Sequence, residues 1–119
     1  MTTRVLVVDD DPGFRVLAVH LLEKAGLDVA GEAETVRQAL EAVNDLRPAA
    51  VLLDLGLPDG DGIDLAHELA ALPWRPRVVL TSSDADAAGT TVVRHCGAAA
   101  FIAKDELTDE ALRIAFAES

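Results

Sequence analysis

Short apolar runs alternate with helical periodicities along the whole chain, and this alternation constrains its fold more than any other feature. Uninterrupted apolar runs occupy residues 5–8, 51–53, 78–80 and 101–103. Runs of this length are typical of strands that are buried on both faces of a sheet. A further short strand is expected at residues 28–32, where Gly31 favours an edge position. Between the runs, apolar residues recur three and four positions apart, as in Phe14, Leu17, Ala18, Leu21 and Leu22.

The order of elements is a strand followed by a helix, repeated five times. Helices are expected to begin near Asp11 and near Glu34 or Thr35, and to cover residues 63–70, 86–96 and 107–115; the helix over 86–96 is the weakest, because it contains Gly89. The last helix has its apolar stripe at Leu107, Ala111, Ile114 and Ala115. This order predicts an α/β fold in which helices cover both faces of a parallel sheet, as one domain over residues 1–119.

Ligands of open parallel sheets bind outside the carboxyl ends of the strands, and polar residues follow four of the predicted strands. These residues are Asp9, Asp10 and Asp11, then Asp54, then Thr81, Ser82 and Ser83, and finally Lys104. If the sheet forms as predicted, the carboxylates of Asp9, Asp10 and Asp54 lie close together and repel each other unless a cation lies between them. All-oxygen ligands suit Mg²⁺ or Mn²⁺. An acidic cluster beside a lysine therefore indicates phosphoryl chemistry.

Each of these residues also has a simpler structural interpretation. Asp9 or Asp10 could cap a helix, Asp54 could form a turn, and Lys104 could be a solvated surface lysine. The acidic segment over residues 59–64 resembles a Ca²⁺-binding loop only weakly, because its twelfth position is Ala70 instead of glutamate. We expect a turn and a helix start there. Convergence at four strand ends favours a site over the separate structural roles.

Charge and composition exclude several functions. The chain has 119 residues, half of them hydrophobic, and a formal net charge of −11, which disfavours direct binding to nucleic acid. No apolar stretch is long enough to span a membrane. The single cysteine, Cys96, cannot form an internal disulfide, so we expect a soluble, cytoplasmic protein.

Taken together, these residues resemble the receiver domain of bacterial two-component response regulators. The first strand with Asp9 and Asp10 is similar to the family's acidic pair, and residues 51–62, with Pro58 and the glycines after it, are similar to its phosphoacceptor segment. Residues 97–104 resemble its last strand and the lysine that ends it. The resemblance implies the flavodoxin-like (βα)5 fold with strand order 2-1-3-4-5.

The family's functional residues map onto this chain one by one. The resemblance implies that Asp54 is phosphorylated and that Asp9, Asp10, Asp54 and the backbone carbonyl of Gly56 hold Mg²⁺ (or Mn²⁺). It implies that Lys104 pairs with the phosphoryl oxygens, that Ser82 is the switch hydroxyl with Thr81 as the alternative, and that Phe101 is the aromatic switch residue. Asp105 follows Lys104 where much of the family has proline, so we expect a trans peptide bond there.

By the same resemblance, the donor is a sensor histidine kinase or phosphotransfer protein, and the last helices can serve as a homodimer surface. The only catalytic steps implied are self-phosphotransfer and autodephosphorylation. The pair Lys104-Asp105 resembles receivers that precede helix-turn-helix DNA-binding domains, which favours transcription control through a domain outside this chain. Two alternatives stay open: a protein-interaction module that works without phosphorylation, and a phosphohydrolase of the aspartyl-phosphate type, whose Asp-x-Asp-x-Thr motif fails here at Gly13.

Overall fold

A computed structural model describes residues 3–83 and 96–117 of the chain. Five parallel strands form one sheet in the order β2-β1-β3-β4-β5. They are β1 Arg4–Val8, β2 Asp28–Ala33, β3 Ala50–Asp54, β4 Arg77–Ser82 and β5 Ala100–Ala103. The predicted flavodoxin-like fold and its strand order are confirmed, and β2 lies at an edge of the sheet as expected.

Four α-helices lie within the described residues: α1 Pro12–Lys24, α2 Val36–Leu46, α3 Gly62–Ala70 and α4 Asp109–Ala115. A 3₁₀ turn, Lys104–Glu106, follows β5 directly. The helix expected over residues 86–96 lies outside the described residues, apart from Cys96. Within the described ranges, no helix is long and apolar enough to cross a membrane.

Short polar side chains start each α-helix by accepting a hydrogen bond from the backbone of its first turn. Asp11 accepts from Gly13 before α1, and Thr35 accepts from Gln38 before α2. Asp61 and Thr108 do the same for α3 and α4. Each cap satisfies a backbone N–H that has no partner inside the helix. Thr35, and not Glu34, is therefore the N-cap of α2.

The sheet separates two apolar cores because side chains alternate along each strand. The core beneath α2 and α3 contains Leu6, Val8, Val51, Leu53, Val78 and Leu80. The core beneath α1 and α4 contains Val5, Val7, Ala50, Leu52, Val79 and Leu112. Every residue of β3 is buried, which agrees with the uninterrupted apolar run in its sequence.

The predicted apolar stripes are wrong at two positions. Leu17 in α1 is 47% exposed and Ile114 in α4 is 67% exposed, whereas Leu112 is completely buried. Because α4 begins after the cap at Thr108, its rotation directs Leu112 and Phe116 toward the sheet. Ile114 consequently faces outward, although its spacing fits a helical stripe.

Candidate functional site

Three carboxylates and one ammonium group meet at the carboxyl edge of the sheet. Asp9 and Asp10 follow β1, and Asp54 is the last residue of β3. Each of the three offers a ligand oxygen, and these oxygens lie within 4.8 Å of one another. Lys104 follows β5, and its Nζ lies 2.7 Å from Asp9 Oδ2 and 3.7 Å from Asp54 Oδ1. The structure therefore brings together the four charged residues that the sequence predicts for the site.

Asp9 is held firmly and is almost fully buried, with 1% of its surface exposed. Its Oδ1 accepts a hydrogen bond from the backbone N–H of Asp11 at 2.9 Å. Its Oδ2 has no aligned hydrogen-bond donor in the described part of the chain, although the Lys104 ammonium is close. Because a buried carboxylate requires a compensating positive charge, the Asp9 oxygen that faces the cluster is suited to a cation, a role that Lys104 fills at 2.7 Å.

Burial and neighbouring charge both act on Asp54, which is 5% exposed. Its burial raises the pKa of the carboxyl group above the usual value, and the Asp9 carboxylate raises it further. The Lys104 ammonium and a hydrogen bond from the Gly56 N–H lower the pKa and offset part of this effect. Asp54 therefore ionises less readily than an exposed aspartate until additional positive charge enters the site.

Lys104 is directed into the site by contacts along its side chain. Its ammonium lies 4.3 Å from the centre of the Phe14 ring of α1, which is a favourable cation–π distance. Only 18% of its side chain is exposed. The peptide bond to Asp105 is trans, as predicted, and the lysine nevertheless reaches both Asp9 and Asp54. It is not a solvated surface residue.

The donor set fits a hard divalent cation. Three carboxylate groups supply oxygen ligands, and Mg²⁺ and Mn²⁺ prefer such ligands in a site that leaves positions for water or phosphate. Three carboxylates share one ammonium group here, and the Asp9 carboxylate adds to the effect of burial in raising the pKa of Asp54. Gly56 adjoins this cluster, since a Cβ at that position would lie 3.6 Å from Asp54 Oδ2. The role of its carbonyl as a ligand stays a prediction.

The two candidate switch hydroxyls lie on opposite faces of β4. The Thr81 hydroxyl donates to the Leu53 carbonyl at 3.5 Å, and Thr81 pairs in register with Asp54. Ser82 follows Leu80 by two residues and shares its face of the sheet, against which Phe101 also packs. Ser82 is therefore the candidate that shares a face with the aromatic residue. The choice of Ser82 over Thr81 stays a prediction.

Two residues around the site were not singled out by the sequence. Arg15 of α1 donates from Nη1 to the backbone carbonyl of Asp9 at 2.6 Å and forms an ion pair with Glu32 at 3.2 Å. Asp59 accepts hydrogen bonds from the Val36 and Arg37 N–H groups at 2.7 and 3.2 Å. Neither partner is near in sequence, so no local pattern indicates these contacts.

The contacts of Asp59 also explain the acidic segment over residues 59–64. Asp59 covers the start of α2, and Asp61 caps α3. The hydrogen bond from the Val36 N–H lowers the pKa of Asp59 below its usual value. The expectation of a turn and a helix start is thus confirmed for this segment.

The chain is similar to known proteins in sequence and in fold. The family model described as the response regulator receiver domain matches residues 5–116. The chain is 34% identical to the chemotaxis protein CheY of Thermotoga maritima, over 87% of each chain. It is 31% identical to the virulence-factor transcription regulator BvgA of Bordetella pertussis, over 97% of this chain and 55% of that protein. The BeF3-activated receiver domain of RstA from Klebsiella pneumoniae superposes with a TM-score of 0.79 at 29% identity, over 92% of both chains.

The extent of these matches differs among the relatives. The chain spans most of CheY but about half the length of BvgA, and about a quarter of the protein-glutamate methylesterases that it also matches. The region matched by the family model, residues 5–116, contains the acidic cluster and Lys104. The family model covers nearly the whole chain, and the fold, the strand order and the relatives agree with it. This chain therefore belongs to the response regulator receiver domain family.

Proposed function

We propose that Asp54 accepts a phosphoryl group from a phosphohistidine of a sensor kinase or phosphotransfer protein, in a Mg²⁺-dependent reaction. One observation carries this proposal: a buried carboxylate at the end of β3 lies among two further carboxylates and the Lys104 ammonium, which is 3.7 Å from it. Burial raises the pKa of Asp54, and a carboxyl group with a perturbed pKa beside a lysine is typical of functional sites.

In the transfer step, an Asp54 carboxylate oxygen attacks the phosphorus of the donor. The bond from phosphorus to the histidine nitrogen breaks, and the imidazole keeps the electron pair and takes up a proton. Lys104, whose Nζ already lies 3.7 Å from Asp54 Oδ1, would move its ammonium from Asp9 to the new phosphoryl oxygens. Asp9, Asp10 and Asp54, with the Gly56 carbonyl, would hold Mg²⁺, which would supply charge neutralisation for the phosphoryl group.

The switch follows from the new charge on Asp54. Ser82 is the proposed hydroxyl that donates to a phosphoryl oxygen, and Phe101 is the side chain that responds, since both belong to the face of the sheet that contains Leu80. A domain with two conformations a few kcal/mol apart can be shifted by such a local event. The output is transcription control through a DNA-binding domain outside this chain; the similarity to BvgA supports this part of the proposal.

The proposed partners are proteins, not nucleic acid, because the chain carries a net charge of −11. A second copy of this chain is the proposed partner at the last helix. Val16 and Leu17 of α1 and Ile114 of α4 are exposed by 71%, 47% and 67%, and the two helices pack beside each other on one face of the sheet. The lone Cys96, which leaves no internal disulfide to form, supports a cytoplasmic location.

Incubation with a small phosphodonor tests the proposal directly. We expect one base-labile phosphoryl adduct per chain in the presence of Mg²⁺, detected by intact-mass spectrometry, and none in EDTA. Asp54→Asn removes the adduct. Asp45→Asn is the matched control, since Asp45 is an exposed residue of α2, and it keeps the adduct.

Other outcomes distinguish the alternatives. Continued release of phosphate without an adduct indicates a phosphohydrolase, and the absence of both adduct and turnover indicates an interaction module. A comparison of Ser82→Ala with Thr81→Ala then identifies the switch hydroxyl. We expect the Ser82 variant to form the adduct but to lose the change in sedimentation or fluorescence that follows phosphorylation.

A further inference from the structure

A basic cavity lies at the opposite end of the sheet from the acidic cluster. Arg47, Ala49, Trp74, Arg75 and Arg77 line it, and its volume is about 520 Å³. Ala49 directly precedes β3 and Arg77 begins β4, so the cavity lies at the amino ends of these strands. A volume of this size is within the range of small-molecule sites. Phosphorylation of Asp54 does not involve these residues.

The three arginines of the cavity form no ion pair with the acidic residues that the structure describes. Although the chain contains 21 acidic and 10 basic residues, the ion pairs of the described residues involve Arg15, Arg37, Lys104 and Arg113. Within those residues, none joins a carboxylate to an arginine of the cavity. Three unneutralised guanidinium groups around one concavity are unusual for a protein with twice as many acids as bases. The arrangement leaves their positive charge for an external anion.

Two of these arginines have backbone conformations that residues other than glycine rarely adopt. Arg47 has a φ of 45° and Arg75 a φ of 47°, and they are the only residues other than glycine with positive φ in the described ranges. Such a conformation costs roughly 1–2 kcal/mol for a residue with a Cβ, and glycine adopts it without that cost. Arginine at both positions, around the same cavity, indicates a role for the side chains.

The remaining contacts fix the cavity walls in place. The Trp74 indole N–H donates to the Pro48 carbonyl at 3.0 Å, and the Arg47 guanidinium lies 5.1 Å from the centre of the Trp74 ring. Arg77 donates from Nε to the Ala115 carbonyl at 2.7 Å, which leaves its terminal N–H groups for other acceptors. The cavity thus combines three guanidinium groups, one of them held by a backbone carbonyl, with one aromatic side chain.

We propose that this cavity binds a small organic phosphate of the nucleotide class. Guanidinium groups pair with phosphate oxygens through two parallel hydrogen bonds, and Trp74, which lines the cavity beneath the Arg47 guanidinium, offers apolar contact to the organic part of the ligand. A nucleic acid chain is disfavoured, because the rest of the protein is strongly acidic and repels an extended phosphate backbone. The proposal is independent of the phosphorylation of Asp54.

Trp74 is the only tryptophan of the chain, so its fluorescence reports on the cavity directly. We propose titration with ADP and with inorganic pyrophosphate, without Mg²⁺ and at constant ionic strength, with calorimetry as a second readout. Saturable binding of ADP is expected. Tight binding of pyrophosphate with equal or higher affinity would show that phosphate alone is recognised and would overturn the nucleotide class.

Glycine substitutions separate binding from folding. Arg47→Gly and Arg75→Gly remove a guanidinium while relieving the positive φ, so the melting temperature should stay within a few degrees of the wild-type value. Each should weaken ADP binding about ten-fold or more, the effect of one charged hydrogen bond. Arg37→Ala is the matched control because it removes the same charge from an exposed position, where 85% of the side chain is accessible.

Three results would overturn the proposal. The first is the absence of a saturable response to ADP, and the second is unchanged affinity in both glycine variants. The third is equal weakening by Arg37→Ala, which would mean that binding follows overall charge and not this cavity. Binding of an acidic peptide such as oligoglutamate, with no response to ADP, would reassign the cavity to a protein partner.

Discussion

Replacing Asp54 by asparagine should stabilise the fold in the absence of divalent cations. The carboxylate is 5% exposed, and burial followed by the Asp9 charge raises its pKa from the usual 3.8. The folded state therefore holds a proton on Asp54 more tightly than the unfolded state does. As the pH rises from 3.8 through the raised pKa, the folded state loses stability relative to a neutral side chain. At pH 7 the amide avoids that loss.

Charge interactions alone do not decide the size of this effect. Carboxylate oxygens of both Asp9 and Asp10 lie no more than 4.8 Å from Asp54, and each repels it by about 3 kcal/mol at an effective dielectric constant of ~20. The Lys104 ammonium at 3.7 Å attracts Asp54 by about 4 kcal/mol on the same basis. The net charge interaction is therefore repulsive, and it acts in the same direction as the desolvation of Asp54. We expect Asp54→Asn to raise the free energy of unfolding by about 1 kcal/mol, which is typical of substitutions that remove a destabilising residue from a functional site.

Thermal melting with and without Mg²⁺ measures both consequences. An unfolding entropy of about 2.1 cal/mol/K per residue converts 1 kcal/mol into a melting shift of about 4 °C for this chain. In EDTA, Asp54→Asn should melt about 4 °C above the wild type. Saturating Mg²⁺ should raise the wild type by about 10 °C, since a ligand at a hundred times its Kd adds about 2.7 kcal/mol. The variant should gain much less.

The exposed control Asp45→Asn should melt within about 2 °C of the wild type in both buffers, as surface substitutions usually do. The reasoning is refuted if Asp54→Asn melts below the wild type in EDTA. It is equally refuted if the variant gains as much from Mg²⁺ as the wild type, because Asp54 would then contribute neither to the charge excess nor to cation binding.

Three further substitutions test other parts of the structure. Lys104→Met should lower stability by about 3 kcal/mol in urea denaturation, because it leaves the buried Asp9 without its counter-charge, and Mg²⁺ should restore part of the loss. Gly62→Ala should lower the free energy of unfolding by about 1–3 kcal/mol, since its Cβ would lie 2.6 Å from a backbone atom. Gly13→Ala is the control and should be nearly neutral. Equal effects of the two substitutions would contradict this packing argument. Asp59→Ala should lower the melting temperature at pH 7. The lowered pKa of Asp59 contributes stability that is fully present above pH 3.8 and is lost as the pH falls through the lowered value, so the difference from the wild type should shrink below pH 3.8.

The fold was predictable because strands that are buried on both faces of the sheet have uninterrupted apolar runs in the sequence. The apolar run over residues 51–53 corresponds to β3, in which every residue is buried, and parallel topology alone brings the ends of β1 and β3 to one edge. The position of Asp54 beside Asp9 and Asp10 follows from these two facts. The sequence therefore predicts the acidic cluster by geometry as well as by resemblance.

The details that escaped prediction depend on long-range or rotational packing. Arg15 binds the Asp9 carbonyl, and Asp59 covers the start of a helix 23 residues earlier in the chain; neither contact has a local periodicity. The rotation of α4 buries Leu112 and exposes Ile114, because the cap at Thr108 sets where the helix begins. Packing of the assembled core determines these contacts and the buried face of α4, and the local spacing of apolar residues does not specify them.

The charge balance of the site would allow the proposed response of one domain to both a cation and a phosphoryl group. Three carboxylates and one ammonium leave two negative charges, which a single divalent cation neutralises. Without it, Lys104 lies 2.7 Å from Asp9 but 3.7 Å from Asp54, so the lysine acts mainly as the counter-ion of Asp9. A cation that takes over Asp9 would release Lys104 for the phosphoryl oxygens on Asp54. On this view, the buried Asp9 couples the two ligands, because its Oδ2, now paired with the Lys104 ammonium, would face either the lysine or the metal.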